Sequence, residues 1–251
     1  MSSVANPAYL RTFSGVIWKL VYDAHYNQLA LEIRSDSNLD WFYHILDLNK
    51  MSDHQVFLHD HVDWWSQLAG IYDDKLIIMK YEGQNNPGPG TLMICDHRNN
   101  KLEFSQEGLL IDSIESGKIN GVQVEKEGKK KEFTLQLENT KRPQKEIQFP
   151  AFFKEGSKEF ETIKDFVSSN TDHRIDMGTE YLEKDELIAF TYYSLKDKKL
   201  DRFMFLIKNG NLLLHQKTDE GMDGIATESF FLFGKFLIFV KNRNTLVIHE
   251  I

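Results

Sequence analysis

Cysteine is nearly absent from this chain. Cys95 is its one cysteine, so no internal disulfide can staple the fold, and cysteine usage gives no sign of secretion. It ends the apolar run Leu92–Cys95, where a thiol reads as a small buried hydrophobe. Proline is rare, at 5 of 251 residues, which suits many packed strands better than a loop-rich scaffold. Long apolar runs are missing as well. A membrane-spanning helix needs roughly 18 apolar residues, and the best stretch, Phe230–Val240, is interrupted by Gly234 and Lys235. The opening residues Met1–Pro7 carry neither the basic nor the apolar segment of a signal peptide, so the expected location is the cytoplasm, away from membranes. There is also no basic excess, since 30 Lys and Arg face 38 Asp and Glu, a net charge of −8. Without surplus cations to displace phosphate counterions, nucleic acid is not an expected partner.

Catalytic signatures are equally wanting. The chain has no Gly-x-Ser-x-Gly elbow, no phosphate-binding loop, no paired Cys-x-x-Cys and no His-Glu-x-x-His. Gly88-Pro89-Gly90 falls between strand-like runs and reads as a hairpin tip. The single basic cluster, Lys126-Glu127-Gly128-Lys129-Lys130-Lys131, reads as a solvated turn. No residue is therefore assigned a catalytic role.

What is present is phenylalanine, 18 residues of it, and a recurring strand–turn–strand phrase. The phrase pairs an apolar run with a second one across a short polar break. It appears at Val21-Tyr22-Asp23 with Asn27-Gln28-Leu29-Ala30-Leu31, and again at Ile71-Tyr72-Asp73-Asp74-Lys75-Leu76-Ile77-Ile78. Two later copies run from Tyr181 to Phe190 and from Leu232 to Phe239. Aligned on Leu29, Leu76, Leu187 and Phe236, the copies are 47, 111 and 49 residues apart. The wide interval leaves room for a degenerate copy built from the runs Leu109–Ile114, Ile119–Val124, Phe133–Leu137 and Ile147–Phe149. Polar turns after each anchor divide the following sequence into further strands. Asn209-Gly210 is the clearest of these turns, because both residues accept the positive φ of a tight hairpin.

This layout predicts an all-β chain folded as one β-propeller domain of five four-stranded blades. The units span approximately residues 14–59, 63–106, 109–150, 174–217 and 228–251. The last unit stops one strand short, and Tyr9–Phe13 is expected to supply the missing outer strand. A short amphipathic helix is predicted over 157–169, with Ser157 as N-cap and Phe160, Ile163, Phe166 and Val167 on one face. It is read as a lid on a sheet edge or blade gap in preference to a docking helix. If the degenerate unit is not a blade, a two-domain chain split near that helix is the alternative.

Polar groups concentrate in the connections leading into the inner strands. These are His59-Asp60-His61-Val62-Asp63, Asp172-His173-Arg174-Ile175-Asp176 and Asp219-Glu220-Gly221-Met222-Asp223. In a propeller such connections meet at one mouth of the central channel. Asp63, Asp176, Asp219 and Asp223, with Trp64 and Trp65 beside them, are the candidate binding residues there. His59, His61 and His173 are the candidate ligands for a divalent cation such as zinc. The plainer reading is that these loops are polar because they are solvated and that the tryptophans are core. Trp64 and Trp65 point to opposite faces of any strand they share, so one can pack while the other offers a sugar-stacking surface.

Two resemblances add to this. Ile45-Leu46-Asp47 and Ile94-Cys95-Asp96 resemble the outer-strand phrase of quinoprotein-type propeller repeats, but the usual glycine and tryptophan are missing and no quinone cofactor is implied. Val16-Ile17-Trp18-Lys19-Leu20 and Trp64-Trp65-x-x-Leu68 resemble an uncharacterised bacterial family carried as a domain of unknown function. That resemblance implies a propeller-like fold and transfers no site residue. The leading expectation is a non-enzymatic intracellular module that binds a protein or small ligand without a cofactor. The alternative is a carbohydrate-active or metal-dependent hydrolase using Asp63, Asp176 and Asp223 at the mouth.

Overall fold

Hairpin chemistry organises the chain from end to end. A computed structural model describes residues 6–35, 39–58, 60–83, 88–115, 117–125, 128–137 and 145–251. In chain order the strands are β1 (Tyr9–Thr12), β2 (Val16–Asp23), β3 (Gln28–Ser35), β4 (Asp40–Asp47), β5 (Ser52–Val56), β6 (Ser66–Tyr72), β7 (Lys75–Lys80), β8 (Gly90–Asp96), β9 (Lys101–Glu115), β10 (Lys118–Val124), β11 (Lys130–Gln136), β12 (Ile147–Gln148) and β13 (Ala151–Lys154). The helix α1 (Lys158–Asn170) follows. Then come β14 (Asp176–Lys184), β15 (Leu187–Lys196), β16 (Lys199–Lys208), β17 (Asn211–Met222), β18 (Phe230–Phe233), β19 (Phe236–Lys241) and β20 (Thr245–Glu250). Among the described residues no helix is long and apolar enough to cross a membrane.

Asp23, Asp47 and Asp96 each end a strand and turn it. The Asp23 carboxylate accepts from the backbone N–H groups of His25 and Tyr26, Asp47 from those of Asn49 and Lys50, and Asp96 from those of Arg98 and Asn99. This Asx geometry competes with continued extension and reverses the chain. In the tighter turn at Asn209-Gly210, φ is 51° and 72°. Those are the left-handed values that match a hairpin's twist, and Asn and Gly reach them with little penalty.

Among the described residues the strands form four antiparallel sheets: three of sequential hairpins, β2–β5, β6–β11 and β13–β17, and a last sheet ordered β1-β20-β19-β18-β12. Among the described residues the chain is thus all-β with one short helix, but the five four-stranded blades are not what forms. The sheets have 4, 6, 5 and 5 strands. The expected third blade is the part that fails. β9 is a 15-residue strand whose first half pairs with β8 and whose second half pairs with β10, the two meeting at Leu109. It bends at Gly108, where φ is +75° and an added Cβ would lie 2.8 Å from the Val124 carbonyl oxygen. The runs assigned to a separate blade therefore extend the β6–β8 sheet, while Ile147 and Gln148 pair with β18. Tyr9–Thr12 does pair antiparallel with β20, in the register Tyr9↔Ile248 to Thr12↔Thr245.

The chain divides into two compact units, Phe13–Lys145 and Glu146–Ile251 with the N-terminal segment ending at Thr12. Within the first unit, Ala30, Tyr43 and Ile45 pack with Leu68, Leu76, Ile78 and Met93 from the next sheet. The other face of that second sheet, bearing Ile77, Met79, Leu92 and Ile94, is covered by Leu109, Ile119, Phe133 and Leu135 from the folded-over ribbon. Within the other unit, Leu182, Ala189, Met204 and Leu206 pack with Phe230, Leu232, Leu237 and Phe239. The opposite face of β15 and β16 is covered by α1 through Phe160, Ile163 and Val167, set against Phe190, Tyr192, Phe203 and Phe205. Each fully buried aromatic or aliphatic side chain of this kind contributes about 1.5–3 kcal/mol. Ser157 caps α1 by accepting from the Phe160 N–H at 3.2 Å, as the spacing predicts.

Candidate functional site

In the Phe13–Lys145 unit, Asp63, Trp64 and Trp65 begin at the turn into β6. The Asp63 carboxylate accepts from the Trp65 N–H at 2.9 Å and the Ser66 hydroxyl at 3.2 Å, and pairs with Lys80 at 3.0 Å. Trp64 and Trp65 lie in the turn before β6, so strand alternation does not decide where they point. Trp64 flanks the Arg34 guanidinium, 5.2 Å from the ring centre, and Trp18 lies 5.1 Å from the same group. Trp65 is 38% exposed. Arg34 donates to Glu32 at 2.5 Å, to the Trp64 carbonyl at 3.0 Å and to the Ser66 carbonyl at 2.9 Å. Glu32 in turn accepts from the Leu68 N–H at 2.7 Å. Both charges are buried, so this clasp joins β3 to β6 with its hydrogen bonds consumed internally. Sequence reading missed it because Glu32 and Arg34 alternate with Leu31 and Ile33 like ordinary polar positions.

Of the three histidines named as ligands, His59 lies outside the described residues. His61 donates its backbone N–H to the Leu58 carbonyl at 2.8 Å. A different imidazole pair forms in this unit: His54 Nε2 and His97 Nδ1 are 3.3 Å apart. His97 is buried, its Nε2 faces the Asp73 carbonyl at 3.4 Å, and Arg98 pairs beside it with Asp74 at 2.6 Å. Burial, followed by the nearby His54, lowers the His97 pKa from 6.5 to about 4. Asp23 is shifted the other way, upward, because desolvation outweighs the backbone N–H groups of Asp73, His25 and Tyr26 that favour its charge.

In the other unit, Asp176 accepts from the Leu195 N–H at 3.2 Å and lies 3.6 Å from the Arg174 Nε. Asp219 is buried and held by Arg202, with Nε at 3.0 Å and Nη2 at 2.5 Å. Asp223 is exposed and pairs with Lys199. Asp219 and Asp223 line one open cleft of about 630 Å³ at the end of β17, with Asn242 and Arg243 also in its wall. Asp176 is not part of its lining.

His173 is where the structure adds most. It follows α1, and its Nδ1 lies 2.6 Å from the Tyr192 hydroxyl. That hydroxyl lies 2.9 Å from Nε2 of His215. Tyr192 is on β15 and His215 on β17, both on the face that α1 covers, because Tyr192 is opposite Phe203 and His215 opposite Phe205 on the intervening β16. The His215 ring stacks on Phe205 with centroids 4.1 Å apart and planes at 12°. A phenol has one proton to donate, so one imidazole accepts it and the other donates its own N–H to the oxygen. Burial, then the proximity of His173, lowers the His215 pKa, and burial raises that of Tyr192. His215 was invisible to sequence reasoning because it sits mid-strand in Leu214-His215-Gln216, 42 residues from His173. Among the described residues no three His, Cys, Asp or Glu side chains form a metal-holding group.

No protein-family model and no curated protein sequence matches the chain. A comparison with solved structures finds an oligogalacturonate lyase in complex with manganese, 13% identical, over 91% of this chain and 75% of that one. The TM-score is 0.28, at which the likeness bears on neither ligand nor mechanism.

Proposed function

We propose that this chain is a non-catalytic binding module of β-propeller type. Four meandering antiparallel sheets support the architectural half of that reading. The observation that carries the functional half is the state of the candidate carboxylates. Asp63 is matched by Lys80, Asp219 by Arg202 and Asp223 by Lys199, each within its own unit. A glycosidase needs two carboxyl groups free to face one ligand, one as acid and the other as base or nucleophile. Asp219 shares a cleft with Asp223, but its buried pairing to Arg202 is a structural use of the charge.

The test is turnover. Chromogenic glycosides and phosphoesters are incubated with the full chain, with and without Zn²⁺ or Mn²⁺, beside the exposed-site variant Asp223→Asn. The expected result is no turnover of any substrate by either protein. Hydrolysis by wild type that Asp223→Asn abolishes would establish the hydrolase instead.

A further inference from the structure

We infer that His173, Tyr192 and His215 form a binding site for one borderline-soft divalent metal ion, Cu²⁺ or Zn²⁺. The inference goes beyond the binding-module reading and does not need it. Three donors from three separate elements converge here: His173 from the segment after α1, Tyr192 from β15 and His215 from β17. The phenol oxygen lies 2.6 Å from one ring nitrogen and 2.9 Å from the other. In a tetrahedral site with metal–ligand bonds of about 2.0–2.1 Å, neighbouring donors stand about 3.3 Å apart. The two hydrogen-bonded separations therefore need to open by about 0.7 Å and 0.4 Å to admit an ion.

The surroundings favour order over adaptability. Stacking on Phe205 fixes the plane of His215. The His173 ring lies 4.2 Å from that of Phe203. The backbone N–H of His173 donates to the Thr171 hydroxyl at 3.1 Å, tying this residue's main chain to the C-terminal end of α1. Both imidazoles are only partly buried, so solvent can supply a fourth ligand. The donor set selects the metal. Two imidazole nitrogens and a phenol oxygen suit Cu²⁺ and Zn²⁺, and they disfavour hard, oxygen-seeking ions such as Mg²⁺ or Mn²⁺. An ion held there would bridge the end of the helix to the edge strand β17.

Equilibrium dialysis of the metal-stripped full chain tests this, with Cu²⁺, Zn²⁺ and Mn²⁺ as separate probes. One equivalent of Cu²⁺ and of Zn²⁺ is expected, in that order of affinity, and Mn²⁺ is expected not to bind. His173→Gln and His215→Gln should each weaken binding by about tenfold or more. Tyr192→Phe, which keeps both imidazoles and the ring packing, should lose less. A second readout needs no histidine variant: Cu²⁺ on wild type should show a phenolate charge-transfer absorption that Tyr192→Phe removes. Wild-type affinity in a folded His173→Gln/His215→Gln double variant overturns the site, as does a wild type that takes up neither ion or lacks that absorption.

Discussion

The two units answer the same physical demand in different ways. In each, two sheets bury one pair of faces together, and one of the two has an apolar outer face that a further element covers. The Phe13–Lys145 unit covers it with its own fabric, bending β9 at Gly108 so that β10 and β11 fold back over Ile77, Met79, Leu92 and Ile94. The other unit inserts a 13-residue helix and lays Phe160, Ile163 and Val167 on an aromatic face. The difference has a chemical consequence. A ribbon continuous with the sheet keeps its ladder hydrogen bonds. A helix satisfies its own backbone but must end on the sheet, and at its C-terminal end the structure places the hydrogen-bonded His173, Tyr192 and His215. The polar cluster therefore accompanies the helical cover.

The sharpest way to break this comparison is to hollow out both covers. Phe160→Ala should cost about 3–5 kcal/mol and Ile119→Ala about 2–5 kcal/mol, both being completely buried. Urea denaturation followed by far-UV circular dichroism measures both. The chain's four tryptophans, Trp18, Trp41, Trp64 and Trp65, all lie in the Phe13–Lys145 unit, so their fluorescence reports locally on Ile119→Ala. A loss below about 1 kcal/mol for either would mean that the segment is not a structural cover.

A smaller effect separates the units by pH. The pKa of His97 is lowered on folding, so the unfolded chain takes up a proton first as the solution is acidified. Its contribution is complete above pH 6.5 and is lost as pH falls from there toward about 4. The loss amounts to at most about 3 kcal/mol. His97→Gln should flatten that part of a stability-against-pH curve read by tryptophan fluorescence; an unchanged slope would remove the buried imidazole as its origin. The smallest effect belongs to the start of α1. Ser157→Ala removes a cap worth about 1 kcal/mol and should lower the denaturation midpoint without changing the slope of the transition.

Much of the fold was legible because its determinants are local. Asn209-Gly210 announced a hairpin by residue type, and Ser157 with the spacing of Phe160, Ile163 and Val167 announced a capped amphipathic helix. The pairing of Tyr9–Thr12 with β20 followed from counting strands. The third blade was misjudged because Ile119, Phe133 and Leu135 alternate in the same way whether they start a new sheet or prolong an old one. The candidate carboxylates were legible as polar loops but not as ion pairs, since Lys80, Arg202 and Lys199 lie on strands some distance along the chain from Asp63, Asp219 and Asp223.

Periodicity and turn chemistry thus determined, from the sequence alone, that this chain is all-β with a single helix, because side-chain alternation and positive-φ turns act over a few residues. Only the tertiary structure decided how many sheets those strands make, which face each cover occupies, and that His173 meets Tyr192 and His215. Those outcomes depend on which apolar surfaces find each other across tens of residues. Burial energy is non-directional, so the order of residues leaves that choice open until the chain has folded.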